Sequence, residues 1–315
     1  MNIFKNPGWI NTRFLDIKYD DVHESTINEI SNRVEQVISA NPLVTVVIPA
    51  YNEEDNIIRC IDSLSRSKSG YPFEILVVNN NSSDRTQELL DRLSVRSVFQ
   101  PVQGWGAARQ KGVDEAKGKY ILTGDSDCIY PAGWVELMTR KLEQKNVACV
   151  YGRFSYIANN KFPRYKFWLY ERMADVMREV RHFKRPYLNC YGMTMGYVKD
   201  FAARARYTER MIRGEDGRLA FDLMSYGKIK MVRASHSRVF TKPRAIERFD
   251  GTLGQAIKSR LIKELVRFGE YFRKKEAHDT KTSLNSTHTI EENMEVLKKR
   301  YRVKGSSGKG KNKST

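Results

Sequence analysis

Two aspartates one residue apart, Asp125 and Asp127, close the run Tyr120-Ile121-Leu122-Thr123-Gly124-Asp125-Ser126-Asp127. The apolar start of that run suits a short buried strand, so both carboxylates emerge where strand gives way to loop. In open α/β sheets the carboxyl ends of the strands are where ligands bind. Neighbouring carboxylates repel each other, and a hard divalent cation such as Mg2+ or Mn2+ relieves the repulsion. Mg2+ is commonly held by one or two carboxylates together with substrate phosphates, so the chemistry implied is a metal–diphosphate site. The motif is short, and a solvated acidic loop also accounts for it. A second acidic pair lies in Arg213-Gly214-Glu215-Asp216-Gly217-Arg218-Leu219-Ala220, with Leu219, Leu223 and Tyr226 as a helical stripe behind it and Gly227 ending that helix. Negative charge is favourable at a helix N-terminus, so capping alone explains Glu215 and Asp216.

These residues need a frame. Leu43 to Ile48 reads as a buried strand rich in valine, and Pro49, which cannot donate a ladder hydrogen bond, is expected to end it before the turn Pro49 to Glu54. A helix with Ile57, Ile61 and Leu64 on one face follows, then a second strand, Phe73 to Val78. Asn79 to Asp84 is dense in turn and capping residues and leads into a helix through Leu89, Leu90 and Leu93. Val95 to Phe99 is a short third strand. Gly104-Trp105-Gly106 opens a helix expected from about Ala107 to Lys117 and closed by Gly118. After the Tyr120 strand and Pro131, a helix through Trp134, Leu137, Met138 and Leu142 leads to a strand at Val147 to Tyr151. This alternation means βαβ units and a mostly parallel sheet, and right-handed crossovers place the turns after Ile48, Val78 and Gly124 on one edge.

Residues 164 to 183 form a long basic helix in which Leu169, Met173, Val176, Met177 and Val180 recur at helical spacing. That face is expected to pack on the sheet in preference to a membrane surface. Leu188 to Tyr197 is a compact region rich in Gly, Met and Tyr. Lys228 to Val232 reads as a last strand, with His236, Thr241, Pro243 and Arg244 in the loop beyond.

A chain of 315 residues has room for one catalytic domain with appendages. The expected division is a polar arm at 1–41, an α/β domain at 42–250, a basic amphipathic helix at 251–275 and a disordered basic tail at 276–315. The arm holds a helix from Ser25 to Ile38, with Ile27, Ile30, Val34 and Val37 on one side, for packing on the domain or on a partner. In the 251–275 helix Ile257, Leu261, Leu265, Phe268 and Phe272 run among Lys258, Arg260, Lys263 and Arg267, a pattern that suits an anionic membrane or the domain surface equally. The net charge of +18 implies an anionic partner: a membrane surface, nucleic acid or a phosphorylated substrate. The aromatic–basic signatures of RNA modules are not evident, so no specific nucleic acid is expected. Cys60, Cys128, Cys149 and Cys190 lie far apart without metal-ligand spacing and read as reduced, packed thiols of a cytoplasmic protein. The N-terminus has no secretory apolar core, and no stretch approaches the ~18 apolar residues of a membrane span, which leaves peripheral association with the membrane's inner face.

Taken together, Val46-Val47-Ile48-Pro49-Ala50-Tyr51-Asn52-Glu53, Val77-Val78-Asn79-Asn80-Asn81-Ser82-Ser83-Asp84, Gly106-Ala107-Ala108-Arg109 and Asp125-Ser126-Asp127 resemble the family 2 glycosyltransferases of the Rossmann-like GT-A fold, in order and in spacing, over about residues 43 to 245. The resemblance implies a nucleotide-diphosphate sugar as donor. It places Pro49, Ala50, Tyr51 and Glu53 around the nucleoside and Asn79 and Asn81 along base and ribose. Amides stand in the Asn79-Asn80 pair where the family often has aspartates, which puts the usual carboxylate contact to uracil in doubt. Arg109 would approach phosphate or sugar near a helix N-terminus. Asp127 would bind Mg2+ or Mn2+ directly, and Asp125 would reach the ribose or a metal-bound water. Glu215-Asp216 resembles the pair that supplies the catalytic base, with Asp216 first and Glu215 its substitute. His236 would be a further metal ligand, and Arg244 would touch the diphosphate. The implied reaction is an inverting, metal-dependent single displacement. The acceptor would be a glycan, lipid-linked or at the cell surface, met by the Leu188–Gly196 region and the 164–183 helix. Two rivals differ in kind. A nucleotidyltransferase should carry a Gly-rich, Arg/Lys-bearing loop where Pro49 to Glu54 stands, and a non-catalytic nucleotide-sugar or anion-binding scaffold should tolerate Asp127→Ala and Asp216→Ala.

Overall fold

The computed structural model describes residues 3–160, 162–208 and 214–243. The expected helix at 251–275, the tail at 276–315 and Arg244 lie outside the described residues. In chain order the strands are β1 (Val44–Ala50), β2 (Phe73–Asn79), β3 (Arg96–Phe99), β4 (Tyr120–Thr123), β5 (Cys128–Ile129), β6 (Val147–Tyr151), β7 (Phe154–Tyr156), β8 (Met195–Val198), β9 (Lys228–Met231) and β10 (Val239–Thr241). The helices are α1 (Glu24–Val37), α2 (Ile57–Leu64), α3 (Thr86–Arg92), α4 (Trp105–Glu115), α5 (Trp134–Leu142), α6 (Arg164–Lys184), α7 (Lys199–Ala205) and α8 (Glu215–Leu223).

Seven strands make the main sheet in the order β3-β2-β1-β4-β8-β6-β9. β1 and β2 are buried along their whole length, as strands covered on both faces must be, and their unbroken valine and isoleucine runs follow from that. β1 pairs in parallel with β2 and β4, β2 with β3, and β6 with β9. Only β8 runs the other way, antiparallel to both β4 and β6. The turns after β1, β2 and β4 therefore share one edge. A small second sheet, β5-β10-β7, is built from segments that follow β4 and β6 in the chain and from β10.

Several expectations are corrected. β1 does not stop before Pro49 but continues to Ala50, paired with Asn79 of β2. Pro49 costs no ladder bond because its β4-side neighbour has already ended: that register closes at Val47 with Thr123. Gly118 does not cap α4, which ends at Glu115. A Cβ at Gly118 would stand 2.6 Å from backbone atoms of Val44 and Thr45, so its glycine serves a close chain crossing. The Gly/Met/Tyr-rich region supplies a strand, β8, and Thr241 lies in β10 instead of a loop.

α1 packs on the domain against α2 and α3, with Ile27, Ile30 and Val34 in the same core as Val44, Ile58 and Leu90. Phe14 and Tyr19 join that core from the preceding segment. α6 turns over the expected face. Its buried residues are Arg164, Phe167, Tyr170, Glu171, Asp175 and Arg178, while Leu169 and Val176 are 54% and 63% exposed. The inward polar groups are paired: Arg164 with Glu171 at 2.6 Å, and Asp175 with Arg178 at 2.6 Å and Arg238 at 2.5 Å. Helical spacing identifies a face, but these buried ion pairs decide which way it points.

Candidate active site

The turns after β1 and β2 interlock. The Asn52 N–H donates to Ser82 Oγ at 3.1 Å, and Asn52 Oδ1 accepts from the Ser83 N–H at 2.8 Å. The Glu53 N–H donates to Thr86 Oγ1 and the Glu54 N–H to Asp84 Oδ2. Asn52 and Asn81 both have left-handed backbone, φ 53° and 59°, which asparagine tolerates better than most residues. Pro49 and Ala50 are buried, Tyr51 and Glu53 half-buried, and Asn81 exposed. Asn79 is 3% exposed, its amide donating to Gln87 Oε1 and its oxygen accepting from the Ser82 N–H. It braces the turn from inside. Asn80 fastens the next loop: it donates to the carbonyls of Gln100 and Val102 and accepts from the Gly104 N–H at 2.9 Å. Gly104, at φ 146°, precedes the first residue of α4.

The two acidic pairs meet at Arg109. Its guanidinium, 4% exposed, reaches Asp125 Oδ1 at 3.0 Å, Glu215 Oε1 at 2.5 Å and Asp216 Oδ1 at 3.1 Å. Arg109 and Glu215 are 106 residues apart in sequence, so the contact joins α4 to the start of α8, and Asp125 ties Arg109 to the edge after β4. Nη2 serves Asp125, and Nη1 serves Glu215 and Asp216. The Gly192 N–H donates to Asp216 Oδ2 at 2.7 Å, while Asp216 Oδ1 has no hydrogen-bond donor aligned to it. Burial pushes the Asp216 carboxyl up to about 7; Arg109 pulls it down, Glu215 raises it, and the Gly192 N–H lowers it. Burial likewise raises Asp125, against Arg109 and with Asp127 and Asp216, to about 6, although a third of its side chain still meets solvent. Arg109 is held charged: burial opposes the charge, but Asp216, Glu215 and Asp125 outweigh it.

The loop carrying the aspartates is held from below. Tyr130 Oη accepts from the Asp125 N–H at 2.8 Å, and Arg59 Nε donates to the Asp127 carbonyl at 3.3 Å. A Cβ at Gly124 would stand 2.3 Å from that tyrosine oxygen. Asp125, Asp127 and Cys128 offer ligand atoms within 4.8 Å of one another. Burial, with Asp127 and Asp125 nearby, pushes the Cys128 thiol well up, and it donates to Asp127 Oδ1 at 3.5 Å. A protonated thiol is a poor ligand for Mg2+ or Mn2+, whereas two carboxylates with room for phosphate oxygens suit either ion. The donor set fits.

His236 does not belong to that group. It sits exposed on the short turn Ser235–Ser237, beside Gly133. Sequence reasoning missed Tyr130, and it singled out Asn80 only as half of an amide pair and Gly192 only as part of the Leu188–Gly196 region; all three bind the site together through contacts with backbone.

The family profile described as glycosyl transferase family 2 matches residues 45–209, more than half of the chain, and the chain belongs to that family. Hyaluronan synthase of Pasteurella multocida is 37% identical over 120 residues, which cover 36% of this chain and 12% of that protein. Glycosyltransferase AglE of Haloferax volcanii is 30% identical over 131 residues, 39% of this chain and 42% of that one. The chain thus spans less than half the length of either relative. Among solved structures, the mannosyltransferase PcManGT of Pyrobaculum calidifontis, in complex with GDP-Man and Mn2+, is similar with a TM-score of 0.51 over 82% of this chain and 75% of that one, at 17% identity. The shared architecture is the GT-A fold.

Proposed function

We propose that this protein transfers a sugar from a nucleotide-diphosphate sugar to an acceptor hydroxyl, with inversion, in a single displacement. The observation that carries the reading is that one buried guanidinium, Arg109, joins Asp125 of the first acidic pair to both Glu215 and Asp216 of the second. The ends of β1 and β2 and the turns after them, with Pro49, Ala50, Tyr51, Glu53, Asn79 and Asn81, border the same edge and would receive the nucleoside. Asp127 and Asp125 would hold Mg2+ or Mn2+, which when bound offsets the negative charge of the departing diphosphate. Asp216 takes the acceptor hydroxyl's proton, and the Gly192 N–H holds its Oδ2 in place. Arg109 keeps Asp125, Glu215 and Asp216 close together despite their like charge.

Arg244 as a diphosphate contact remains part of this reading, and His236 does not, since it stands outside the carboxylate group. A glycan acceptor, lipid-linked or at the cell surface, would approach over Leu188–Gly196, next to Gly192. Four free, buried cysteines suit a reducing cytoplasm, and no described helix is long and apolar enough to cross a membrane.

Calorimetry with UDP- and GDP-sugars, with and without Mn2+, tests the reading. Metal-dependent binding of one donor is expected, lost in Asp127→Ala. Binding that ignores the metal, or survives Asp127→Ala unchanged, overturns it.

A further inference from the structure

The outward face of α6 is unusual for a surface helix. Tyr165, Leu169, Val176, Val180 and Phe183 are 48%, 54%, 63%, 44% and 85% exposed. At 100° per residue these positions fall on one side of the helix, which is ~30 Å long over its 21 residues. Contiguous exposed apolar surface of this kind marks an interaction site. The helix cannot roll to hide it. Its opposite face is fixed in the molecule by the buried Arg164–Glu171 pair and by Asp175, which holds Arg238 from the strand side.

We propose that this face of α6 lies on an anionic lipid bilayer. Charge chooses the partner. The acids of the helix, Glu171, Asp175 and Glu179, are each tied to arginines: Arg164, Arg178 with Arg238, and Arg153 with Arg233. Lys166 and Lys184 are exposed along the apolar stripe, as is Arg172, which also pairs with Asp175 at 3.0 Å. An apolar stripe bordered by cations, with Tyr165 and Trp168 near one end and Phe183 near the other, is the pattern of a helix at a membrane–water interface. A second copy of the chain would bring cations against cations on that border. The far end of α6 leads through Pro186–Asn189 to Gly192, whose N–H meets Asp216. A bilayer under α6 would thus lie beside the acidic pair, where a membrane-borne acceptor is needed; this last point rests on the transferase reading, the docking itself does not.

The test is flotation of the full chain with vesicles of phosphatidylglycerol and phosphatidylcholine in equal parts, against phosphatidylcholine alone. The wild type should float with the anionic vesicles and progressively less as salt rises. Val176→Glu with Phe183→Glu should lower the bound fraction by about tenfold or more, and Lys166→Glu with Lys184→Glu should weaken binding to anionic vesicles only. All four positions are already exposed, so folding should survive, and Mn2+-dependent nucleotide-sugar binding and circular dichroism check this. No flotation of the wild type overturns the proposal, as does equal flotation with neutral vesicles. Undiminished flotation of Val176→Glu/Phe183→Glu would move the membrane contact elsewhere in the chain, and a wild-type dimer split by that variant would make the face a self-interface. Failure of donor binding in the wild type would sink the transferase reading and leave the vesicle result standing.

Discussion

Asp216 combines a buried carboxyl, a near neighbour of like charge and one arginine, and its proton affinity records the balance. With the carboxyl raised to about 7, transfer should climb as pH rises through 7 and then level, since only the ionised form can accept a proton. Asp216→Asn should keep metal-dependent donor binding and lose transfer by about 10²-fold or more, which titration calorimetry and turnover assays separate. Stability moves in the opposite direction. The folded protein keeps this proton up to about 7, while the unfolded chain releases it near 4, so in that interval the native state binds more protons and loses stability as pH rises. Thermal melts of Asp216→Asn should be flatter than those of the wild type across that interval. Gly192→Ala would place its Cβ 1.9 Å from Arg109 Nη2, a guanidinium that three carboxylates hold in place. The expected result is transfer reduced by about tenfold or more with unchanged circular dichroism. The aspartate and glutamate pairs could be read from sequence because their chemistry resides in residue type and spacing. Gly192 and Tyr130 could not, because each acts on a segment far from it along the chain.

At the scale of elements, the apolar runs of β1, β2 and β4 announce buried strands, whereas Met195-Gly196-Tyr197-Val198 carries no alternation and shows itself only through its partners. α6 makes the same point from the other side. Its charged residues are what the molecule buries, and Asp175 is the keystone among them. Burial alone would raise the Asp175 carboxyl, but Arg238, Arg178 and Arg153 outweigh it and hold it below the usual carboxylate range. Its contribution is therefore complete at neutral pH and is lost as pH falls below about 4. Asp175→Asn would leave the buried Arg238 and Arg178 short of a counter-charge, at a cost on the order of 3 kcal/mol in urea unfolding at pH 7. At pH 3 the difference between variant and wild type should shrink.

For the molecule as a whole, the family profile begins at residue 45, yet the core begins earlier. Phe14, Tyr19, Ile27, Ile30 and Val34 share one apolar interior with Val44, Ile58 and Leu90. A chain started at Leu43 should lose its cooperative melt or show it about ten degrees lower, as calorimetry would register. Sequence showed the amphipathic character of α1 through Ile27, Ile30 and Val34 but not its destination, since an apolar stripe does not name the surface that covers it.

The antiparallel strand of the main sheet has a bearing on biosynthesis. β4 and β6 are both made long before β8, which must slot between them. Until Met195 to Val198 have left the ribosome, the sheet ends at β4 and β6 stands apart, its other neighbour β9 being made later still; both margins are open, hydrogen-bond-hungry and able to recruit a stray strand. A nascent chain paused in that interval is the form of this protein most dependent on a chaperone.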